Sequence, residues 1–260
     1  MPLSQRTQLF QTLSVLFFIV ISLLFAYASW LSRPWSWLVV LGALLGFFLV
    51  LGVWITHQPL GVLINQRNLM SLSRLQIVCW SLVIFSAYIV VVMQRIAGHV
   101  PNPLDVSVDN HLWAILGIST ASFVGTPLIL STKTDKSPSD TALRAASSAL
   151  GEAPASIQQN AQGTLYSNSL AGEASFSDIF EGDEVGNTAY LDISKVQMFL
   201  ITILLIGVYC SDLWSLLSGP LDQLTKLPPA NGDMLKLFAL SHAGYLTFKT
   251  VNHTDSANQQ

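Results

Sequence analysis

The chain has 260 residues, 51% of them hydrophobic and only 10% charged; soluble proteins carry about 25% charged residues, so the composition argues against a soluble domain. Twelve Lys and Arg against fifteen Asp and Glu leave a net charge of −3. No basic excess is available to neutralise a phosphate backbone, which disfavours nucleic acid as a partner. Two cysteines cannot build a disulfide framework.

A bilayer core about 30 Å thick needs roughly 20 apolar residues in a helix, and six such runs occur in chain order. The first, Leu9 to Trp30, contains Ala26-Tyr27-Ala28, the small-x-small form of a signal-peptide cleavage site. The run is longer than a signal's apolar core and only Arg6 precedes it as a basic residue, so it reads as an uncleaved anchor. The second run, Trp35 to Thr56, follows after Ser32-Arg33-Pro34 and completes a hairpin over residues 1–58. Leu75 to Met93 and His111 to Leu130 form a helix pair within 59–131, joined by a loop bearing Pro101, Pro103, Asp105 and Asp109. Val196 to Leu217 and the weaker Met234 to Val251 form another within 191–252, before a polar tail at 253–260. Backbone polar groups in lipid must be satisfied within the segment, so all six are expected to be helices: an all-α polytopic membrane protein.

Residues 132–190 change solvent. The first forty are rich in Ser, Ala, Gln, Asn and Thr without an apolar period, and read as a flexible cytoplasmic linker. Near its end Phe176, Ile179 and Phe180 fall at i, i+3 and i+4 beside Asp178, Glu181, Asp183 and Glu184. This short amphipathic turn with its acidic patch is a candidate docking site for a cytoplasmic protein over Phe176–Glu184; it lacks the spacing of a calcium loop.

The two helix pairs resemble each other. Ser73-Arg74-Leu75-Gln76 recurs as Ser194-Lys195-Val196-Gln197, and Leu116-Gly117-Ile118-Ser119 meets Phe238-Ala239-Leu240-Ser241. Six spans place the two copies in the same direction across the membrane, a parallel repeat about an axis along the membrane normal. Ser-x-x-Gln reads as a capping box, with Arg74 and Lys195 as interfacial anchors that snorkel to headgroups and Gln76 and Gln197 closing the box. Gly117, Ala121 and Gly125, and Ala239 and Ala243, place small residues every fourth position, the pattern that lets membrane helices approach closely. Ionisable groups inside spans are scarce, and His242, Asp212 and Lys236 form the candidate intramembrane polar site, with Asp212 as an interfacial partner for Lys236.

No HExxH, GxSxG, P-loop or paired intramembrane aspartate is present, so the reading is non-enzymatic, with no cofactor or metal. The helix openings and Ser241-His242-Ala243-Gly244-Tyr245 look generically like segments of bacterial multi-spanning proteins, and no family follows from them. The expected function is a scaffold or assembly subunit of the bacterial inner membrane, alone in the bilayer or as a homo-oligomer; the alternative is a small oligomeric channel or transporter. Eight of the twelve basic residues fall on the side that holds both termini and residues 132–190, so the positive-inside rule assigns that side to the cytoplasm. A Ser137→Cys variant should therefore resist an impermeant thiol reagent in intact cells while Asn102→Cys reacts. The opposite labelling pattern would invert the topology.

Overall fold

The computed structural model describes residues 17, 19–28 and 30–256. Eight helices follow in order: α1 (Ile19–Ala28), α2 (Arg33–Thr56), α3 (Leu72–Ala97), α4 (Asn110–Ser131), α5 (Asp140–Leu150), α6 (Pro154–Asn160), α7 (Ile193–Ser218) and α8 (Gly232–Thr250). Among the described residues there is no β-strand, only isolated bridges. Among the described residues four helices, α2, α3, α4 and α7, are long and apolar enough to span a membrane. The sixth expected span is α8, 19 residues long but interrupted by His242 and lysines. Of the first expected span, the described residues include α1, and Leu9 to Leu16, Phe18 and Ser29 lie outside the described residues, as do Ala257 to Gln260 of the tail.

The chain divides into two units. The first comprises residues 1–47, 82–108 and 210–228. Within it the Trp37 indole donates to Ser86 Oγ at 2.8 Å, which satisfies the one polar atom of a large buried side chain. Trp35 packs edge-on against Trp214 at 5.8 Å. The buried Arg95 guanidinium gathers two connections, donating to the carbonyls of Asn102 and Pro103 at 3.1 Å each and of Leu224 at 2.9 Å. Ser107 then exchanges backbone hydrogen bonds with Thr225 and Leu227, both at 2.9 Å.

The second unit comprises 48–81, 109–209 and 229–260. Here α4 and α8 lie side by side and run in the same direction: His111 meets the Ala230 carbonyl, Ser122 meets His242, Thr126 meets Tyr245 and Lys133 meets the Val251 carbonyl. The face that α4 buries is Leu112, Ile115, Ser119, Ser122, Thr126 and Leu130, a helical i, i+3/i+4 row half made of hydroxyls. In α3, Gln76 donates to Thr202 of α7 at 2.5 Å, and Trp80 packs against Tyr209 and Phe238 at about 6 Å.

Short hairpins lead into α3 and α7. The first is closed by Asn65 N–H to Leu69 O and Ser71 N–H to Leu63 O, and its turn places Asn68 at φ +57°, a left-handed conformation that Asn tolerates. The second is closed by Gly182 N–H to Tyr190 O and Asp192 N–H to Phe180 O. A Cβ at Gly182 would fall 2.3 Å from Asn187, so only glycine permits this turn.

Residues 132–190, expected to be a flexible linker, carry their own structure. Helix α5 is capped by Ser139, which accepts from Ala142 N–H, and ends at Gly151 with φ +73°. Leu143, Ala146, Ile157, Tyr166 and Val185 bury one another together with Leu69. The missed signal was a single apolar stripe, Leu143-Ala146-Leu150, diluted by Ala and Ser. The described part of the tail is also tied down: Ser139 N–H donates to Asp255 O, and Gly186 N–H to Thr254 Oγ1. A folded segment predicts that trypsin leaves the exposed Arg144 bond intact in the native protein. Leu143→Asp, which puts a charge among the buried residues, should make that bond cleavable within minutes; rapid cleavage of the wild type would mean that α5 does not persist.

Candidate functional site

Three basic side chains of the second unit converge on Asp183, which the tight turn after Gly182 places between the first hairpin and the ends of α7 and α8. Arg67 Nη2 lies 2.5 Å from Asp183 Oδ1, and Arg67 Nη1 donates to the carbonyls of Asp183 at 2.7 Å and Tyr166 at 3.0 Å. Lys249, from the last turn of α8, pairs with Asp183 Oδ2, and Lys195, from the first turn of α7, approaches it at 3.4 Å. Lys195 also donates to the carbonyl of Glu181, and the Lys249 ammonium lies 4.5 Å from the centre of the Tyr245 ring. Both lysines are buried.

Burial alone would push the Asp183 carboxyl up, but Lys195, Lys249 and Arg67 together hold it well below the usual carboxylate range. Asp178 differs: burial raises it, offset by hydrogen bonds from the backbone N–H groups of Met70 and Ser175 to Oδ2. A second pair lies beside the first. Lys133 sits 2.5 Å from Glu184 Oε1 and donates to the Val251 carbonyl, while Glu184 Oε2 accepts from His253 N–H at 3.0 Å. Around Asp183 remains a cavity of about 20 Å³, the size of one water molecule. The arrangement holds protein segments together; its cations are already bonded to carboxylates and carbonyls. Among the described residues no group of His, Cys, Asp and Glu could hold a metal ion.

Several expectations are corrected by this geometry. Lys195 does not snorkel to headgroups: it is buried against Asp183, because the carboxylate lies closer than water. Arg74 is half-buried, with Nη1 at 3.5 Å from the Val62 carbonyl and the guanidinium 5.6 Å from the centre of the Phe123 ring. The helices start at Leu72 and Ile193, so Ser73 and Ser194 lie inside them and are not caps. Asp192 accepts from the N–H groups of Ser194 and Lys195 instead. Gln76 is buried and bonds Thr202 rather than its own helix start; Gln197 is exposed. Nor does the stripe of small residues pack within the chain. Gly117, Ala121 and Ala243 are exposed and Ala239 is intermediate; of the two glycines, a Cβ would meet a neighbour, Leu246, only at Gly125. Hydroxyl pairing between α4 and α8 selects the opposite face.

The three candidate intramembrane groups are divided between the units, His242 and Lys236 in the second and Asp212 in the first. His242 is buried, with Nδ1 at 2.6 Å from Ser122 Oγ and its ring 4.2 Å from Phe238. Lys236 is exposed and takes Asp233 of its own helix as its carboxylate partner, at 2.9 Å, and Asp212 is exposed. The acidic patch at the end of 132–190 is largely turned inward: Asp178, Asp183 and Glu184 are spent on internal partners, leaving Phe176 half-exposed. In the sequence Arg67 and Lys133 are two of the eight basic residues that set the topology, and Asp183 is one member of the acidic patch. The available signal was the glycine before Asp183, which permits a buried turn.

Removing one member of a buried ion pair leaves the others uncompensated and costs about 3–5 kcal/mol. Asp183→Asn should destabilise the protein by about that much in denaturant titrations in detergent. Asp178→Asn, whose amide oxygen can still accept from Met70 and Ser175, should cost less than about 1 kcal/mol. Because the folded state depresses the Asp183 carboxyl, its contribution is present above the unfolded value of about 3.9 and is lost as pH falls through the folded value. The stability gap between wild type and Asp183→Asn should thus persist at pH 5 and close only in stronger acid. Equal stability of the two proteins at pH 7 would remove the cluster as a structural determinant.

Compared with protein families, with curated proteins and with solved structures, the chain matches none of them. It is a membrane-embedded, all-helical protein without an obvious catalytic or metal-binding constellation among the described residues.

Proposed function

We propose that the protein is a non-enzymatic scaffold or assembly subunit of the bacterial inner membrane, with both termini and residues 132–190 in the cytoplasm. One observation carries this reading: the buried Asp183 cluster ties the 132–190 segment to the ends of α7 and α8, giving a fixed platform instead of a titratable pathway. A partner meeting this platform near Phe176 would find edge-stacked aromatics, Phe176, Phe180 and Phe199, rather than acidic groups.

A parallel duplication is part of the same proposal, and several features support it. Helices α3 and α7 each have 26 residues, and both their starts (Leu72, Ile193) and their ends (Ala97, Ser218) are 121 positions apart. Each is preceded by a hairpin whose closing bonds correspond, Ser71 to Leu63 and Asp192 to Phe180. The like directions of α4 and α8 fit a parallel relation rather than an inverted one. Six spans, counting α1 and α8, and a homo-oligomer held by the outward small residues complete the proposal.

The second reading, a small channel or transporter, has one observation in its favour: His242 Nε2 is buried without a hydrogen-bond partner. Reconstitution in liposomes separates the two. A scaffold gives no proton or ion flux above protein-free vesicles, and a photo-crosslinker at Phe176 gives a discrete protein adduct in cells. Flux that disappears in a folded His242→Thr variant would replace the scaffold with the transport reading.

A further inference from the structure

Beside the Asp183 cluster an open groove of about 420 Å³ lies between the first turn of α3 and the last turns of α4, a volume within the range of small-molecule sites. Its lining combines two chemistries: Ser73, Arg74 and Gln162 are polar, and Phe123, Val124 and Leu128 are apolar. Arg74 is the informative residue. Arg67, Lys133, Lys195 and Lys249 at this end of the helices are each paired with a carboxylate, but none lies within ion-pair distance of Arg74 among the described residues. Of its five N–H donors, one reaches a carbonyl, Val62 O, at the long distance of 3.5 Å.

Depth in the bilayer identifies the occupant. Arg74 is the third residue of α3, and Val124 lies seven residues before the end of α4, about 10 Å along the helix. The groove therefore spans the zone where lipid headgroups give way to acyl chains. Its apolar lining continues onto an outward face: Val124 is 48% and Leu128 64% exposed. A cation held at the rim by an aromatic ring, with an apolar track running from it toward the bilayer centre, complements an anionic headgroup carrying a chain. We propose that this groove binds one anionic phospholipid, its phosphate on the Arg74 guanidinium and one acyl chain along Val124 and Leu128. A planar guanidinium suits a phosphodiester, which it can contact with two parallel N–H bonds.

Native mass spectrometry of the full chain in detergent tests this, with phosphatidylglycerol, phosphatidylcholine and sn-glycerol 3-phosphate as probes. Phosphatidylglycerol should saturate one site about tenfold more tightly than phosphatidylcholine, and the chainless phosphate should not bind at the same concentrations. Arg74→Gln should lower phosphatidylglycerol affinity about tenfold, Arg74→Lys less than that, and Val124→Trp should block the lipid without changing charge. Lys226→Gln, which removes an exposed cation elsewhere, should leave binding unchanged. Wild-type affinity in a folded Arg74→Gln protein, or equal binding of the two lipids, overturns the proposal. Equal loss on Lys226→Gln means diffuse surface charge and overturns it too, and binding of glycerol 3-phosphate as tight as that of the lipid replaces it with a water-soluble phosphate ligand. If Arg74→Gln does not fold, Val124→Trp decides: lost binding supports the site and retained binding refutes it.

Discussion

A carboxylate withdrawn from water is tolerated only if its surroundings replace the lost hydration, and at Asp183 three cations do so. Their origin gives the constraint its reach. Arg67 comes from the hairpin before α3, Lys195 from the first turn of α7 and Lys249 from the last turn of α8, so the carboxylate is compensated only when three distant parts of the chain are in place together. Lys133 and Glu184 repeat the arrangement between the end of α4 and the residue after Asp183. A loosely attached segment would leave buried charge unpaired, so the 132–190 region is held in one position by electrostatics as well as by its small apolar core.

The membrane-facing helices obey a different rule. Lipid solvates apolar side chains as well as a protein core does, so apolar burial gives little reason for two spans to associate. Polar pairs supply it. Ser122 with His242, Thr126 with Tyr245, and Gln76 with Thr202 join helices through groups that lipid cannot satisfy. The exposed Gly117 and Ala121 are left on a surface that a second copy or lipid can cover.

One end of the helices thus separates two uses of charge. Inside, acids and bases are matched and fix the fold; at the rim, Arg74 is matched by no acid among the described residues and faces the zone of lipid headgroups. The difference follows from position in the first turn of α3 and from the hairpin before it, which carries Arg67 inward to Asp183 and leaves Arg74 beside Phe123.

Much of the architecture is legible in residue order alone. The runs opening at Trp35, Leu75, His111, Val196 and Met234 each start within three residues of a helix, because backbone groups in lipid have no partners except those of their own helix. Neither the buried faces nor the pairings could be read this way. In water a helix betrays its inner face by apolar periodicity, but in lipid the outer face is apolar too, and α4 gave no such signal; small residues pointed to one face while hydroxyls buried the other. Likewise Asp178, Asp183 and Glu184 look like a solvated patch until Gly182 turns the chain and residues 12 to 116 positions away arrive to neutralise Asp183. Local order fixes helices in a bilayer because hydrogen bonding there is local. Charge compensation is not local, and only the tertiary structure decided it.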